Sequence, residues 1–300
     1  MHPNFLIIGP PKCASTSLHY YLGQHPEIYM SKVKETFFFV RDYEKGIGFY
    51  EKYFEEAANA KMIGEATPVY AFLPFVADRI KAHYPAAKFI LCFRNPMDRT
   101  FSSWLMQRGM GVERAGFREA VDINIKQLDY ITLEGDKGAD AWNGSVGNYD
   151  EGESRLRTYI QAGRYAEIIS SYEKRFSPAQ IKVIFMEDLK DNFDGTMKNL
   201  FSFLGVDNNF IVPNKEVVNF YFDRKANKVL NKIIGIKGTR FLAKRIPKGL
   251  KNIFKNKWRV KQTPKISAED RKYLWEKIFK YDVAALEKIT GKNLSEWAPK

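Results

Sequence analysis

The 300-residue sequence contains two cysteines, Cys13 and Cys92, too few for the framework of a disulfide-stabilised secreted domain. No apolar run reaches the roughly 18–20 residues that span a bilayer. The short apolar run 5–8 lacks the basic start of a signal peptide, so we expect a cytoplasmic protein with reduced thiols. Apolar residues make up 45% of the chain and aromatic residues 15%, which is enough for a hydrophobic core and excludes a disordered chain.

Acidic residues are missing from one segment, although the whole chain has a net charge of +13. Residues 224–265 carry 15 lysines and arginines and no acidic residue, whereas the rest carries 33 basic and 35 acidic residues. A domain that is uniformly basic for nucleic-acid binding is therefore excluded. Apolar residues at helical spacings predict that this basic segment is partly helical. Three roles for the basic segment are open. It is a solvated face packed on the domain, a surface for anionic polysaccharide or membrane headgroups, or, least favoured, a nucleic-acid surface.

Short apolar runs alternate with longer helical patterns along the chain. Strands are predicted over 4–8, 61–65, 88–93 and 181–186, and helices over 15–23, 72–84, 96–108, 154–176, 193–204 and 267–288. The polar segment 127–152 is predicted to be an insertion or loop. The alternation indicates an α/β three-layer sandwich, with a central, mostly parallel sheet flanked by helices. We predict a single domain over 1–300, in which 267–300 forms a final helix and tail.

The loop after the first strand has the composition of an anion site. Residues 9–17, GPPKCASTS, join a strand to a helix in a P-loop-like arrangement, where backbone amides and the helix dipole favour a phosphate. In the frame of a nucleotide-binding P-loop, Ser15 occupies the lysine position, and a lysine stands three residues earlier, at Lys12. This departure argues against an ordinary ATPase or GTPase. A plain strand–helix turn with a surface lysine is the alternative interpretation.

Two motifs resemble the sulfotransferases that use 3′-phosphoadenosine 5′-phosphosulfate (PAPS). Residues 11–16, PKCAST, look like the family's phosphosulfate loop, P-K-x-G-T-T. Ala14 replaces the usual glycine, which calls for a negative φ or a slightly adapted turn. Residues 94–102, RNPMDRTFS, resemble the motif R-[DN]-P-x-x-R-x-x-S, whose first arginine and final serine hold the 3′-phosphate. The order of the two motifs, each after an apolar strand, argues against chance.

The resemblance implies roles for individual residues. The donor-binding residues it implies are Pro11, Lys12, Cys13, Ala14, Ser15, Thr16 and Ser17 in the loop, Arg94 and Ser102 at the 3′-phosphate, and Lys237, Gly238 and Arg240 in a loop that closes over the nucleotide. Lys12 would stabilise the leaving phosphate oxygen during an in-line transfer of the sulfuryl group. No metal ion is required in this scheme.

A second catalytic group is needed as a base for the acceptor hydroxyl. Residues 34–39, KETFFF, resemble the K-E-P-x-F-F element of carbohydrate sulfotransferases, and the resemblance makes Glu35 the expected base. The alternative is that Glu35 pairs with Lys32 or Lys34 at the surface, and a shifted frame would put Lys34 at the base position. Glu65, in a stretch that resembles E-K-[ST]-P-x-Y, is the second candidate base.

Weaker matches, such as LSEW at 294–297, extend the resemblance over nearly the whole chain. It is to the bacterial-type branch that is similar to heparan sulfate and other carbohydrate sulfotransferases. It implies transfer of a sulfuryl group from PAPS to a hydroxyl or amine, with a carbohydrate or a lipid-linked glycan as acceptor. A P-loop kinase and a non-enzymatic protein that binds polyanions or membranes are the alternatives.

Overall fold

A five-stranded parallel sheet lies at the centre of the computed structural model, which describes residues 1–57, 59–146, 156–216 and 264–299. The strands are β1 (Phe5–Ile7), β2 (Ile28–Met30), β3 (Met62–Ala66), β4 (Lys88–Phe93) and β5 (Ile181–Phe185), in the order β2-β3-β1-β4-β5. Neighbouring strands are all parallel, with Phe5 of β1 opposite Gly64 and Lys88. The predicted α/β fold is confirmed.

Helices connect the strands and cover both faces of the sheet. They are α1 (Ser15–Leu22), α2 (Ile47–Glu51), α3 (Pro74–His83), α4 (Pro96–Gly109), α5 (Phe117–Leu128), α6 (Gly135–Val146), α7 (Tyr165–Glu173), α8 (Met186–Asp191), α9 (Phe193–Leu204), α10 (Ala268–Leu274) and α11 (Lys280–Thr290). A π-helical turn, Trp275–Phe279, joins α10 to α11. The predicted helix over 267–288 thus forms, with this one irregular turn inside it.

The core has two parts, one on each face of the sheet. In β4, Phe89, Leu91 and Phe93 face the larger cluster, which α3 and α7 cover. Ile90 and Cys92 face the smaller cluster, under α1 and α9. Because both faces are covered by helices, nearly every strand residue is buried and the strands have continuously apolar sequences rather than an alternating pattern.

One glycine determines how the chain leaves β1. A Cβ atom at Gly9 would lie 2.7 Å from the backbone nitrogen of Cys92 in the neighbouring strand. Only a residue without a side chain fits this close approach. The loop that follows β1 therefore runs directly beside the end of β4, where the second motif begins.

Two predictions about local structure are wrong in part, and several short elements were not predicted. The short strand β2 was not expected, and α7 begins at Tyr165 rather than at 154. The carboxylate of Asp282 in α11 accepts hydrogen bonds from the backbone amides of Tyr165 and Ala166 at 2.7 and 3.1 Å, so a distant residue defines the start of this helix. Within the polar segment 127–152, α6 forms because Trp142 packs on Phe72.

Several predictions fall outside the described residues. These include Lys237, Gly238 and Arg240, together with nearly all of the basic segment 224–265. Within the described ranges, every helix is too short or too polar to cross a membrane. The single-domain assignment stays a prediction.

Candidate active site

The loop between β1 and α1 has a backbone shaped for anions. Lys12 and Ala14 both adopt left-handed conformations, with φ of 75° and 60°. Left-handed residues alternating with ordinary ones turn successive amides toward a common point, which is the geometry of a phosphate-binding nest. Ala14 keeps the positive φ that a glycine would adopt, so the alternative of a negative φ is wrong. The side chain at this position costs about 1 kcal/mol in backbone strain.

The first turn of α1 adds a second anion-binding feature. Its first helical hydrogen bond runs from Leu18 N to Ala14 O, at 2.9 Å. Among the described residues, no side chain caps this end of the helix. The positive end of the helix dipole and the amides of Ser15 and Thr16 therefore lie at the loop, where they favour a bound anion.

A cavity of about 470 Å³ opens beside this loop. One wall is formed by Pro11, Lys12, Ala14, Ser15 and Thr16. The rest of the lining includes Glu35, Phe37, Arg41, Phe72, Ser103, Gln107 and Trp142. Five loop residues predicted to bind the donor thus line the same space as Glu35, the predicted base.

Lys12 is half-buried in the cavity wall. Burial lowers the pKa of its ammonium group, and the nearby positive charge of Arg94 lowers it further. Removal from water strengthens the interaction of an ammonium with any anion that enters the cavity. The position and the environment of Lys12 are those of a group that stabilises negative charge.

Arg94 and Tyr165 hold the loop from behind. Arg94 Nη1 donates to the Lys12 carbonyl at 3.3 Å, and the Tyr165 hydroxyl donates to the Arg94 carbonyl at 2.8 Å. The buried Cys13 sulfur lies 3.8 Å from the same hydroxyl, and burial raises the pKa of this thiol to about 11. Cys13 is therefore a neutral support, with its side chain directed away from the cavity. Ser17 is also buried and hydrogen-bonds to Tyr21.

The two residues predicted for the 3′-phosphate are not in this cavity. Arg94 is half-buried at the end of β4, and Ser102 is half-buried on α4. Asn95 caps α4, since its side chain accepts from the amides of Met97 and Asp98 at 3.1 and 3.3 Å. Ser103, one residue beyond Ser102, is the serine of α4 that lines the cavity.

Glu35 lines the same cavity as the loop, and its negative charge acts on Lys12, whose pKa it raises against the larger lowering effect of burial. Its backbone has a φ of 60°, and its amide donates to the carbonyl of Ala66 at 3.1 Å, which fixes the segment to the end of β3. Its carboxylate accepts from Lys34 Nζ at 2.5 Å, while 39% of the side chain remains exposed. The predicted pairing with Lys34 is thus present, and Glu35 also lines the cavity.

Glu65, the second candidate base, is fully buried behind this wall. Its carboxylate accepts hydrogen bonds from the hydroxyls of Thr36, Tyr50 and Thr67, at 3.1, 3.0 and 2.7 Å. Burial raises the pKa of Glu65, against the opposing effect of these hydrogen bonds. The residue is placed to hold the segment around Thr36 rather than to meet an acceptor.

Several cavity residues were not identified by the sequence motifs. Phe37 and Arg41 form a cation–π pair, with the guanidinium carbon 5.1 Å from the ring centre. Trp142 lies in the segment predicted as a loop. For Phe37, the sequence signal is the phenylalanine run 37–39. Phe38 and Phe39 are buried in the core, and Phe37 lines the cavity.

Across the residues that the structure describes, no three His, Cys, Asp or Glu side chains are grouped to hold a metal ion.

Comparison with known proteins places these motifs in context. A family model described as a sulfotransferase domain matches residues 2–272. Carbohydrate sulfotransferase 15 of Homo sapiens is 26% identical over 252 residues, covering 68% of this chain and 44% of that protein. The membrane-associated sulfotransferase kil1 of Dictyostelium discoideum is 42% identical over 105 residues, covering 34% of this chain and 22% of that protein. The chain spans less than half the length of these curated relatives.

Solved structures show the same fold. A sulfotransferase from Alicyclobacillus acidocaldarius superposes with a TM-score of 0.69 at 24% identity, covering 99% of both chains. The sulfotransferase domain of the Synechococcus PCC 7002 olefin synthase gives a TM-score of 0.50 at 15% identity, covering 98% of this chain and 96% of that one.

Proposed function

This chain belongs to the sulfotransferase family, as the motifs predicted, and on that premise we propose that it transfers a sulfuryl group from PAPS to a hydroxyl or amine of an acceptor. The observation that carries the proposal is one cavity with an anion-shaped loop bearing Lys12 on one wall and the carboxylate of Glu35 on another. A cation for the leaving group and a base for the nucleophile are the two groups that such a transfer needs.

The donor side of the proposal uses the loop and the start of α1. The left-handed loop and the amides of Ser15 and Thr16 would hold the 5′-phosphosulfate, because this backbone geometry and the positive end of the helix dipole favour an anion. Arg94 offers a planar fork suited to a phosphate, and with Ser102 it would hold the 3′-phosphate. Lys237, Gly238 and Arg240 remain predicted contacts to the nucleotide.

The chemistry follows from the two opposed charges. The acceptor oxygen or nitrogen forms a bond to sulfur as the bond from sulfur to the 5′-phosphate oxygen breaks, and Glu35 takes the acceptor proton. Charge grows on the leaving phosphate oxygen during this step, so the Lys12 ammonium interacts more strongly with the transition state than with bound PAPS. Its lowered pKa makes it a better proton donor to that oxygen.

We propose a carbohydrate or a lipid-linked glycan as the acceptor. One curated relative is named a carbohydrate sulfotransferase, and another is named a bifunctional heparan sulfate N-deacetylase/N-sulfotransferase. The cavity walls offer aromatic surfaces at Phe37, Phe72 and Trp142, against which the apolar face of a sugar ring can pack. A cytoplasmic location, and contact between the basic segment and anionic glycans or membranes, stay predictions.

Isothermal titration calorimetry tests the proposal with two ligands, adenosine 3′,5′-bisphosphate (PAP, the product of PAPS) and ATP with Mg²⁺. We expect heat on titration with PAP and transfer of labelled sulfate from PAPS to a panel of glycans, lipids and phenols. Absence of PAP binding would remove the sulfotransferase assignment of this site. Tighter binding of ATP–Mg²⁺ than of PAP would favour the alternative of a kinase, and binding of neither would favour a non-enzymatic protein.

A further inference from the structure

A turn distant in sequence is docked beside the residue proposed for the 3′-phosphate. The turn Ser295–Trp297 lies more than 200 residues after Arg94, yet its tryptophan is only 5% exposed. The side chain of Asn95, the residue after Arg94, donates from Nδ2 to the carbonyl of Trp297 at 3.2 Å. Asn95 therefore joins this turn to the start of α4, which the same side chain caps through its oxygen.

The indole ring makes three further contacts around the same point. Its ring centre lies 6.1 Å from that of Tyr165 and 5.8 Å from that of Phe185, both in edge-to-face arrangements. Its Nε1 donates to a carboxylate oxygen of Glu187 at 3.2 Å. Buried aromatic contacts of this kind fix the position of the rings that make them.

Tyr165 is the link from the indole ring to the donor site. Its ring stacks on Phe93, with ring centres 4.2 Å apart, and its hydroxyl donates to the Arg94 carbonyl. Arg94 in turn donates to the carbonyl of Lys12. The carbonyl of Arg94 thus accepts a hydrogen bond from Tyr165, and the next residue in the chain, Asn95, donates to Trp297. Trp297 contacts both Tyr165 and Asn95.

We propose that Trp297 is a positioning residue for the donor nucleotide, and that it sets the orientation of Arg94 through Asn95 and Tyr165. The inference rests on the proposed function, in which Arg94 holds the 3′-phosphate. Trp297 does not line the cavity, so it acts only through its neighbours. Its loss lets the start of α4 shift, and a bidentate phosphate contact at the end of β4 is sensitive to such a shift.

The test compares two ligands that differ in one phosphate. We expect Trp297→Ala to weaken PAP binding about tenfold, which is the effect of roughly 1.4 kcal/mol. Adenosine 5′-monophosphate lacks the 3′-phosphate, so its affinity should be unchanged in the same variant. In steady-state assays the variant should raise the KM for PAPS by a larger factor than it lowers kcat, because Arg94 contacts Lys12 only at its backbone carbonyl and Glu35 lies on a different segment.

Two control variants separate positioning from general destabilisation. Trp297→Phe keeps an aromatic ring against Tyr165 and should restore most of the PAP affinity. Phe176→Ala removes a buried ring that packs on Phe89, a residue whose backbone pairs with Ile181 at the beginning of β5. Phe176→Ala should lower the melting temperature by about as much as Trp297→Ala does, while its PAP affinity stays at the wild-type value. If Trp297→Ala weakens both ligands equally, or only as much as Phe176→Ala does, the positioning role is overturned.

A double-mutant cycle distinguishes failure of this inference from failure of the proposed function. In a protein that already carries Arg94→Ala, Trp297→Ala should cause no further loss of PAP affinity, since both changes act on the same contact. Full additivity of the two losses would overturn the route through Arg94. If the wild-type protein itself does not bind PAP, the proposed function fails before the cycle begins.

Discussion

The carboxylate of Glu35, which lines the cavity, and that of Glu65, directly behind the cavity wall, differ in their exposure to solvent and in their hydrogen-bond partners. Glu35 faces the cavity from a left-handed backbone, and its side chain is 39% exposed. Glu65 lies behind the same wall, fully buried, and accepts hydrogen bonds from three hydroxyls. The two carboxylates belong to adjoining segments, because the amide of Glu35 donates to the carbonyl of Ala66.

This difference separates a carboxylate that a substrate can reach, Glu35, from one that supports the fold behind the wall, Glu65. A fully buried carboxylate enclosed by three hydroxyls cannot meet an acceptor hydroxyl, even though burial raises its pKa. An accessible carboxylate in a strained segment can meet a substrate, and the strain is stabilised by the layer behind it. The contrast favours Glu35 over Glu65 as the base and predicts that changes to each will affect different properties.

The largest effect is expected for Lys12→Ala, on the cavity side. Removing the ammonium should lower kcat for sulfate transfer by about 10³-fold, since one lost electrostatic contact to a developing oxyanion has an effect of this size. PAP affinity should fall much less, because the loop amides remain. Labelled-sulfate assays and calorimetry measure the two quantities. Equal losses in both would mean that Lys12 binds the donor without favouring the transition state.

The next effect is expected for Glu35→Gln. Loss of a general base should lower kcat by about 10²-fold with an unchanged PAP affinity and an unchanged melting temperature. Lys34→Gln is the matched control, because it removes the partner of Glu35 and tests whether the shifted frame, with Lys34 as base, is correct. Full activity of Glu35→Gln would withdraw the base assignment, and a larger loss in Lys34→Gln would transfer it to that residue.

Behind the wall, Glu65→Gln should act on stability. Thr36 and Thr67 donate to one carboxylate oxygen and Tyr50 to the other, so the amide nitrogen of the glutamine would face at least one hydroxyl that now donates, at a cost of about 2.5 kcal/mol in the free energy of unfolding. Chemical denaturation measures this loss. Turnover per folded molecule should be retained at temperatures where the variant is folded. A loss of kcat at normal stability would contradict the assignment and make Glu65 the base.

The smallest effect concerns Asp282, a supporting carboxylate remote from the cavity. Burial raises its pKa from 3.8 to about 6. The folded protein therefore binds more protons than the unfolded chain between these pH values, and the stability from the protonated group is lost as pH rises through about 6. Asp282 is partly accessible to solvent, so we expect this contribution to be roughly 2 kcal/mol.

Asp282→Asn tests this expectation, because the replacement cannot titrate but keeps an oxygen for the amides at the start of α7. The free energy of unfolding of the wild type, minus that of the variant, should fall between pH 4 and pH 6. Urea denaturation at several pH values measures the difference. A difference that rises over this window would show that the three backbone hydrogen bonds outweigh burial.

Local patterns were sufficient for the parts of the chain that carry their own signal. The strands β1, β3, β4 and β5 were predicted because buried parallel strands are continuously apolar. Helix α4 was predicted almost to its ends, since Pro96 begins it, and the structure adds that Asn95 caps it. Lys12 and Arg94 follow two of these strands, and parallel strands place such residues at one edge of the sheet.

Other features were set by contacts between distant residues. Helix α7 begins where Asp282 caps it, more than 100 residues away, and α6 is held by the packing of Trp142 on Phe72. Neither contact leaves a trace in the local pattern. The same is true of Trp297, whose sequence neighbourhood resembles the family but gives no hint that it packs beside Tyr165.

The sequence by itself determined the α/β class, because apolar periodicity is a local property, and two of its motifs resemble those of the family to which the chain belongs. Only the tertiary structure decided that Ala14 keeps a left-handed backbone, that Cys13 turns away from the cavity, and that Glu35 faces it while Glu65 is enclosed. The physical reason is that burial and hydrogen-bond partners are supplied by segments far apart in the chain, and these surroundings decide whether a carboxylate can react.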